Sequence, residues 1–222
     1  MESTLERDLE ALTGLILTMG GEVERAMGQA IRAVVERDSA LAEAVIVGDE
    51  LLDRREIEVD QRARELIIRQ RPMARDLRLV MTAIKIAPDL ERVADHAVNI
   101  ARQALILNRM PPLKPFVTLP RMAEAAAGMV RDAVSAFARH GAALAREVIA
   151  HDDEVDAMHE EVFRELLTYM MGDPGTIPRA IALVFISHSL ERIADQGTNI
   201  AEQVVYLVEG EDIRHRHKGG AE

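Results

Sequence analysis

An all-α fold of two tandem three-helix bundles, six long antiparallel helices related by internal duplication, is predicted by three observations. Aromatic residues make up only 3% of the 222 residues and Trp is absent, so a β-sandwich or barrel would lack its usual material. Apolar residues step by four and by three along most of the chain, the 3.5-residue period of helices packed at shallow angles. A segment also recurs 100 positions downstream. Leu90-Glu91-Arg92-Val93-Ala94-Asp95-His96-Ala97-Val98-Asn99-Ile100-Ala101 matches Leu190-Glu191-Arg192-Ile193-Ala194-Asp195-Gln196-Gly197-Thr198-Asn199-Ile200-Ala201, with eight of twelve positions identical.

The elements follow in order. Leu5, Leu9, Leu12, Ile16, Met19, Val23, Ala26 and Ala30 mark the first helix, opened by a capping box of Ser3 with Glu6 and ending near Asp38-Ser39. A second helix spans 39–70, and Pro72 marks the start of a third over 73–108. Within that third helix Pro88 removes a backbone donor and should kink or break it. Four of the eight prolines fall in 110–120, which reads as a linker. Beyond it come a helix over 119–140, a break at Gly141, a helix over 142–171, the turn Gly172-Asp173-Pro174-Gly175, and a last helix over 177–209 ending at Gly210. The repeats are placed at 1–110 and 111–222, the second with a short frayed tail.

Composition bounds the function. Hydrophobic residues at 48% and charged residues at 29% suit a chain with a sizeable core and exclude a disordered one. Cysteine is absent, which excludes disulfides, thiolate nucleophiles, iron–sulfur clusters and Cys-based zinc sites. The net charge of −11 opposes nucleic acid or anionic lipid as the main partner. The acidic start, Met1-Glu2-Ser3-Thr4-Leu5-Glu6, lacks the apolar region of a signal peptide. Uncharged runs such as 180–190 fall short of the ~18 residues a membrane span needs, so no membrane insertion is expected.

The chemistry lies where the apolar seam turns acidic. The third helix reads Leu77, Val80, Ile84, Ala87, Glu91, Ala94, Val98, Ala101, Leu105, and the sixth places Glu191 in the equivalent slot. A carboxylate on such a stripe is costly unless paired, protonated or metal-bound. Asp95 and Asn99 continue the row from Glu91, and Asp195 and Asn199 continue it from Glu191. Arg92 and Arg192 lie one position off, where neither obviously neutralises it. The preceding helices carry Asp49 and Asp53, followed by Glu56 and Asp60, and Asp152 and Asp156, followed by His159. Antiparallel packing would let these acidic pairs face the stripes, though periodicity alone does not fix which of them join. Oxygen donors alone favour Mg²⁺, Ca²⁺, Mn²⁺ or iron.

The motifs Asp89-Leu90-Glu91-Arg92-Val93-Ala94-Asp95 and Ser189-Leu190-Glu191-Arg192-Ile193-Ala194-Asp195 resemble those of the PhoU family. The stretches Arg75-Asp76-Leu77-Arg78-Leu79-Val80-Met81, Leu167-Thr168-Tyr169-Met170-Met171 and Glu209-Gly210-Glu211-Asp212-Ile213-Arg214-His215 extend the resemblance over essentially the whole chain. The resemblance implies iron or zinc clusters, one held by Asp49, Asp53, Glu91 and Asp95 and the other by Asp152, Asp156, Glu191 and Asp195, with Asn99 and Asn199 as possible support. It also implies a cytoplasmic regulator that links the ATPase of a phosphate transporter to a sensor histidine kinase. That regulator keeps phosphate-starvation genes off when phosphate is plentiful.

Two other classes compete. A carboxylate-bridged metalloenzyme is disfavoured because di-iron bundles use Glu-x-x-His, which this chain lacks; Asp156-x-x-His159 comes nearest, in one half only. A purely structural scaffold would not need Glu91 and Glu191 in its seam. No catalytic residue is assigned. The arginines Arg69, Arg71, Arg75 and Arg78 read as a solvated turn, and His215 and His217 as part of the frayed tail. A homodimer is expected from Met-rich faces carrying Met122, Met129, Met170 and Met171.

Overall fold

The computed structural model describes residues 3–114 and 116–213. Among them no strand occurs. The chain forms six helical rods, two of them interrupted once: α1 (Thr4–Val35), α2 (Ser39–Gly48) with α3 (Glu50–Gln70), α4 (Ala74–Asn108), α5 (Thr118–Arg139), α6 (Ala142–Ala150) with α7 (Asp152–Gly172), and α8 (Ile177–Glu209). A single 3₁₀ turn, Pro174–Thr176, precedes α8. His215, His217 and the expected frayed tail lie outside the described residues.

Local chemistry accounts for the ends. The capping box at α1 is formed in both directions, Glu6 N donating to Ser3 Oγ at 3.1 Å and Ser3 N to Glu6 Oε2 at 2.7 Å. α1 stops at Val35, short of 38–39, because Arg37 turns left-handed at φ 58°. Asp38 then caps α2 through Leu41 N at 3.0 Å. Gly210, at φ 74°, closes α8.

The second rod of each repeat is not the single helix that periodicity predicts. The first breaks at Asp49, after the side-chain-free Gly48. The other breaks at His151, whose Nδ1 donates to the Glu147 carbonyl at 2.7 Å and so competes with the helical ladder. Bonds of the tighter i→i+3 kind replace the regular ones, Leu52 N to Asp49 O at 2.8 Å and Glu154 N to His151 O at 3.2 Å. Both breaks place a helix start beside acidic residues, Glu50 and Asp53 in α3 and Asp152, Asp153 and Glu154 in α7, which the helix dipole favours. α4, in contrast, runs unbroken through Pro88.

The rods share one core. α1, α4, α8 and α5 pack as a central layer, α2 and α3 cover α1 and α4, and α6 and α7 cover α5 and α8. α4 and α8 run antiparallel where the repeats meet, with Arg78 Nε near the start of α4 donating to the Leu207 carbonyl near the end of α8. Ile16, Ile86, Phe137, Leu166 and Ile186 are fully buried. Leu77 and Ile177, at the outer ends of α4 and α8, are exposed, so the buried part of each seam begins one step later, at Val80 and Ala180. Met122 and Met129 are also buried in this core, which removes them from any docking face; Met171 is exposed. Among the described residues no helix is long and apolar enough to cross a membrane.

Candidate functional site

In the first repeat the α3–α4 hairpin brings Asp49, Asp53 and Glu56 against Glu91 and Asp95. Glu91 is partly buried on the α4 stripe. Burial first, then the charges of Asp95, Glu56, Asp53 and Asp49, push its carboxyl up to about 7. Asp49 is likewise raised by burial, Asp95 and Asp53, with Arg102 opposing. Glu56 is thus a member of the cluster that the sequence reading left out. Its signal was present: 49, 53 and 56 follow i, i+4, i+7 on one helical face.

The second repeat assembles Asp152, Asp156, Glu191 and Asp195 in the same way. Asp152 is pushed up to about 6 by burial and by Asp195 and Asp156, against a lowering contact from Thr198. Asp156 and Glu191 are raised by burial and by Asp195. Here Arg192 does partner the stripe, Nη1 lying 2.7 Å from Asp195 Oδ2, because residues three apart meet on one helical face. Its counterpart Arg92 turns instead to the buried Asp89, at 2.9 Å from Oδ1.

Two imidazoles border the second cluster. His188 Nδ1 lies 3.1 Å from Glu191 Oε2, and His159 Nδ1 lies 3.1 Å from Ser187 Oγ. The rings are 6.0 Å apart and inclined at 46°. Burial pushes the His159 imidazole below its ordinary pKa. The aligned positions in the first repeat are Glu56 and Pro88. Asn99 and Asn199 are exposed and engage their own helices, Asn99 accepting from Arg102 at 3.3 Å and Asn199 donating to Gln196 at 3.4 Å.

The donor chemistry suits a cation. Asp152 Oδ1 and Glu191 Oε2 are buried oxygens without a hydrogen bond; the His188 approach to the latter is off-line. Such oxygens are unfavourable unless a proton or a cation satisfies them. Among the described residues no three carboxylate or imidazole groups converge on one point at metal-binding distance.

Comparison with known proteins places this geometry in context. The family described as the PhoU domain matches residues 16–104 and 119–204, so each matched segment contains one acidic cluster. The chain belongs to the PhoU family. A phosphate-specific transport system accessory protein PhoU homolog from Pseudomonas putida is 40% identical over 209 residues, covering 94% of this chain and 82% of the relative. One from Aquifex aeolicus is 40% identical over 213 residues, covering 96% of both. The crystal structure of PhoU from Pseudomonas aeruginosa superposes with a TM-score of 0.88 at 37% identity, over 92% of this chain and 99% of that one. The phosphate transport system regulatory protein PhoU from Streptococcus pneumoniae gives 0.87 at 27% identity, over 95% and 99%. PhoU proteins are accessory and regulatory rather than enzymatic.

Proposed function

We propose that the protein is a cytoplasmic, cation-binding regulator of phosphate uptake, a negative regulator that contacts the ATPase of a phosphate transporter and a sensor histidine kinase. The carboxylate cluster repeated in both halves of a PhoU chain carries this reading. Asp49, Asp53, Glu91 and Asp95 hold cations in one repeat, and Asp152, Asp156, Glu191 and Asp195 in the other. The ion is iron, zinc or a harder cation such as Mg²⁺, Mn²⁺ or Ca²⁺. A bound ion supplies positive charge that neutralises each cluster. With an ion bound, these residues would tie α3 to α4 and α7 to α8, fixing the covering helices on the central layer. The long acidic faces, at a net charge of −11, suit basic surfaces on protein partners, and the protein acts as a homodimer without turnover.

The test is genetic. Deleting every copy of the family from the host should leave phosphate-starvation reporters switched on in high phosphate, and this gene alone should restore repression. Normal repression in the deleted strain overturns the reading.

A further inference from the structure

We infer that the first repeat holds a small-molecule site at the break between α2 and α3, which takes a short zwitterion, its ammonium group on the buried Glu22 and its carboxylate on Arg25 at the mouth. Neither residue belongs to an acidic cluster, so this site stands or falls apart from the cation reading.

α1, the α2–α3 corner and α4 enclose a cavity of about 140 Å³. Gly48 at the corner adds no side chain to fill it, and a Cβ there would meet nothing within 4 Å. Val45, Leu52, Ala94 and Val98 give apolar walls, and Asp49 is the one lining residue shared with the acidic cluster. The cavity recurs in the second repeat, where Ala125, Gly128, Val148 and His151 line it at the positions aligned with Glu22, Arg25, Val45 and Gly48. The space is therefore a product of the fold, and what sets the first copy apart is its charge.

Glu22 exposes only 9% of its surface. Its Oε1 accepts from Arg55 Nη2 at 3.3 Å, but Oε2 is buried without a hydrogen bond. The other arm of Arg55 is committed to Glu58, at 3.1 Å. A buried carboxylate oxygen left bare is unfavourable until a donor reaches it. The architecture does not require the Glu22–Arg55 pair, since the second repeat has Ala125 and the buried Met158 in its place, an apolar exchange that buried ion pairs tolerate. Arg25 follows Glu22 by three residues and shares its face of α1. It is exposed and forms no ion pair among the described residues.

A donor that reaches Glu22 through this cavity passes apolar walls and leaves its other end at Arg25. A cationic head, an aliphatic stem and an anionic tail match that order. The ammonium donates to Glu22 Oε2, and the carboxylate accepts from the Arg25 guanidinium. An amine alone leaves Arg25 unused, and a carboxylate alone leaves Glu22 bare. The volume admits a ligand of this size and is too small for a drug-sized or nucleotide-sized one.

Calorimetric titration of the full chain in chelator tests this, with 4-aminobutanoate as the probe and butylamine and butanoate as its two halves. The zwitterion should bind at a single site per chain, and each half at least about tenfold more weakly, the loss expected for one charge-assisted hydrogen bond. Glu22→Gln should weaken the zwitterion by at least about tenfold. Arg25→Gln, a change to an exposed side chain, should bring the zwitterion down to the affinity of butylamine and leave butylamine itself unaltered. A carbon-13 shift of the Glu22 carboxyl on adding the probe reads the contact without any variant. If Arg55 closes both prongs on Glu22 instead, no probe binds the unaltered protein, and that result overturns the inference. So does an equal affinity in Glu22→Gln. Either result leaves the cation reading standing, because no metal enters the titration.

Discussion

Gly197 of α8 lies so close to Met129 of α5 that an added Cβ would sit 3.2 Å from the Met129 Cβ and 3.3 Å from its carbonyl carbon. The first repeat has Ala97 at this position. Because the obstacle is backbone and Cβ, the helices must separate to admit a methyl group. Gly197→Ala should destabilise by about 1–2 kcal/mol, the overpacking penalty less the gain in helix propensity. Gly28→Ala, in α1 with nothing within 4 Å of the new atom, should stabilise by about 0.5–1 kcal/mol. Urea unfolding of both variants checks the contrast, and equal effects would contradict it.

Pro88 sits inside α4 without ending it. Its ring denies the Ile84 carbonyl its usual helical partner. Pro88→Ala should raise stability by about 1–3 kcal/mol, read as an upward shift in the thermal midpoint. A fall in the midpoint would show that the proline fits a bend the packing requires.

The helices and the duplication were legible because each depends on neighbours within a turn. The interruptions at Asp49 and His151 were not: Val45, Ile46 and Val47 keep the helical pattern across the first, and the second arises from a side chain competing with its own backbone. The carboxylates of the site could be read as i, i+4 pairs, but their neighbours depend on helix rotation. Hence Glu56 and His159 could be seen behind the paired aspartates without a decision on whether they join, and His188 beside the second cluster was not foreseen. Long-range caps leave no local trace at all.

Arg37 shows this last case. Its Nη2 donates to the carbonyls of Leu107, Asn108 and Met110, at 3.1, 3.0 and 2.5 Å, and so closes the far end of α4 from some 70 residues away. Hydrogen bonds to a charged group contribute about 1.5–3 kcal/mol each in favourable cases, and these three share one nitrogen. Arg37→Met should therefore destabilise by about 2 kcal/mol and increase amide exchange over 107–110. Arg37→Lys should recover little, since an ammonium lacks the planar fork. Unchanged exchange there would remove the capping role.

The raised carboxyls fix the sign of a pH dependence. Glu91 titrates near 4.5 when unfolded and at about 7 when folded, so the folded state binds more protons between those values. Its contribution to stability is fully present below pH 4.5 and is lost as the pH rises through 7. Asp152 acts in the same sense between 3.8 and about 6. Glu91→Gln should then be more stable than the unaltered protein at pH 8, with the difference vanishing towards pH 4.5. Denaturation in chelator across that range is the measurement. A variant less stable at pH 8 would mean that Glu91 is held by a favourable charge rather than crowded by unfavourable ones.

Cation binding should reverse the same penalty. An ion that binds only the folded state stabilises it by about 2.7 kcal/mol at a hundred times its dissociation constant. The carboxylates must lose their protons to ligate, so the gain should be larger at pH 8 than at pH 5. With Mn²⁺ or Zn²⁺ added, the thermal midpoint should rise in the unaltered protein and stay fixed in Glu91→Ala/Glu191→Ala. That double variant, relieved of two crowded carboxyls, should start from the higher midpoint in chelator at pH 8. The two effects together separate a cation site from a merely acidic surface. An acidic surface would gain a little from any salt in both proteins, and removing its carboxylates would leave the dependence on metal unchanged.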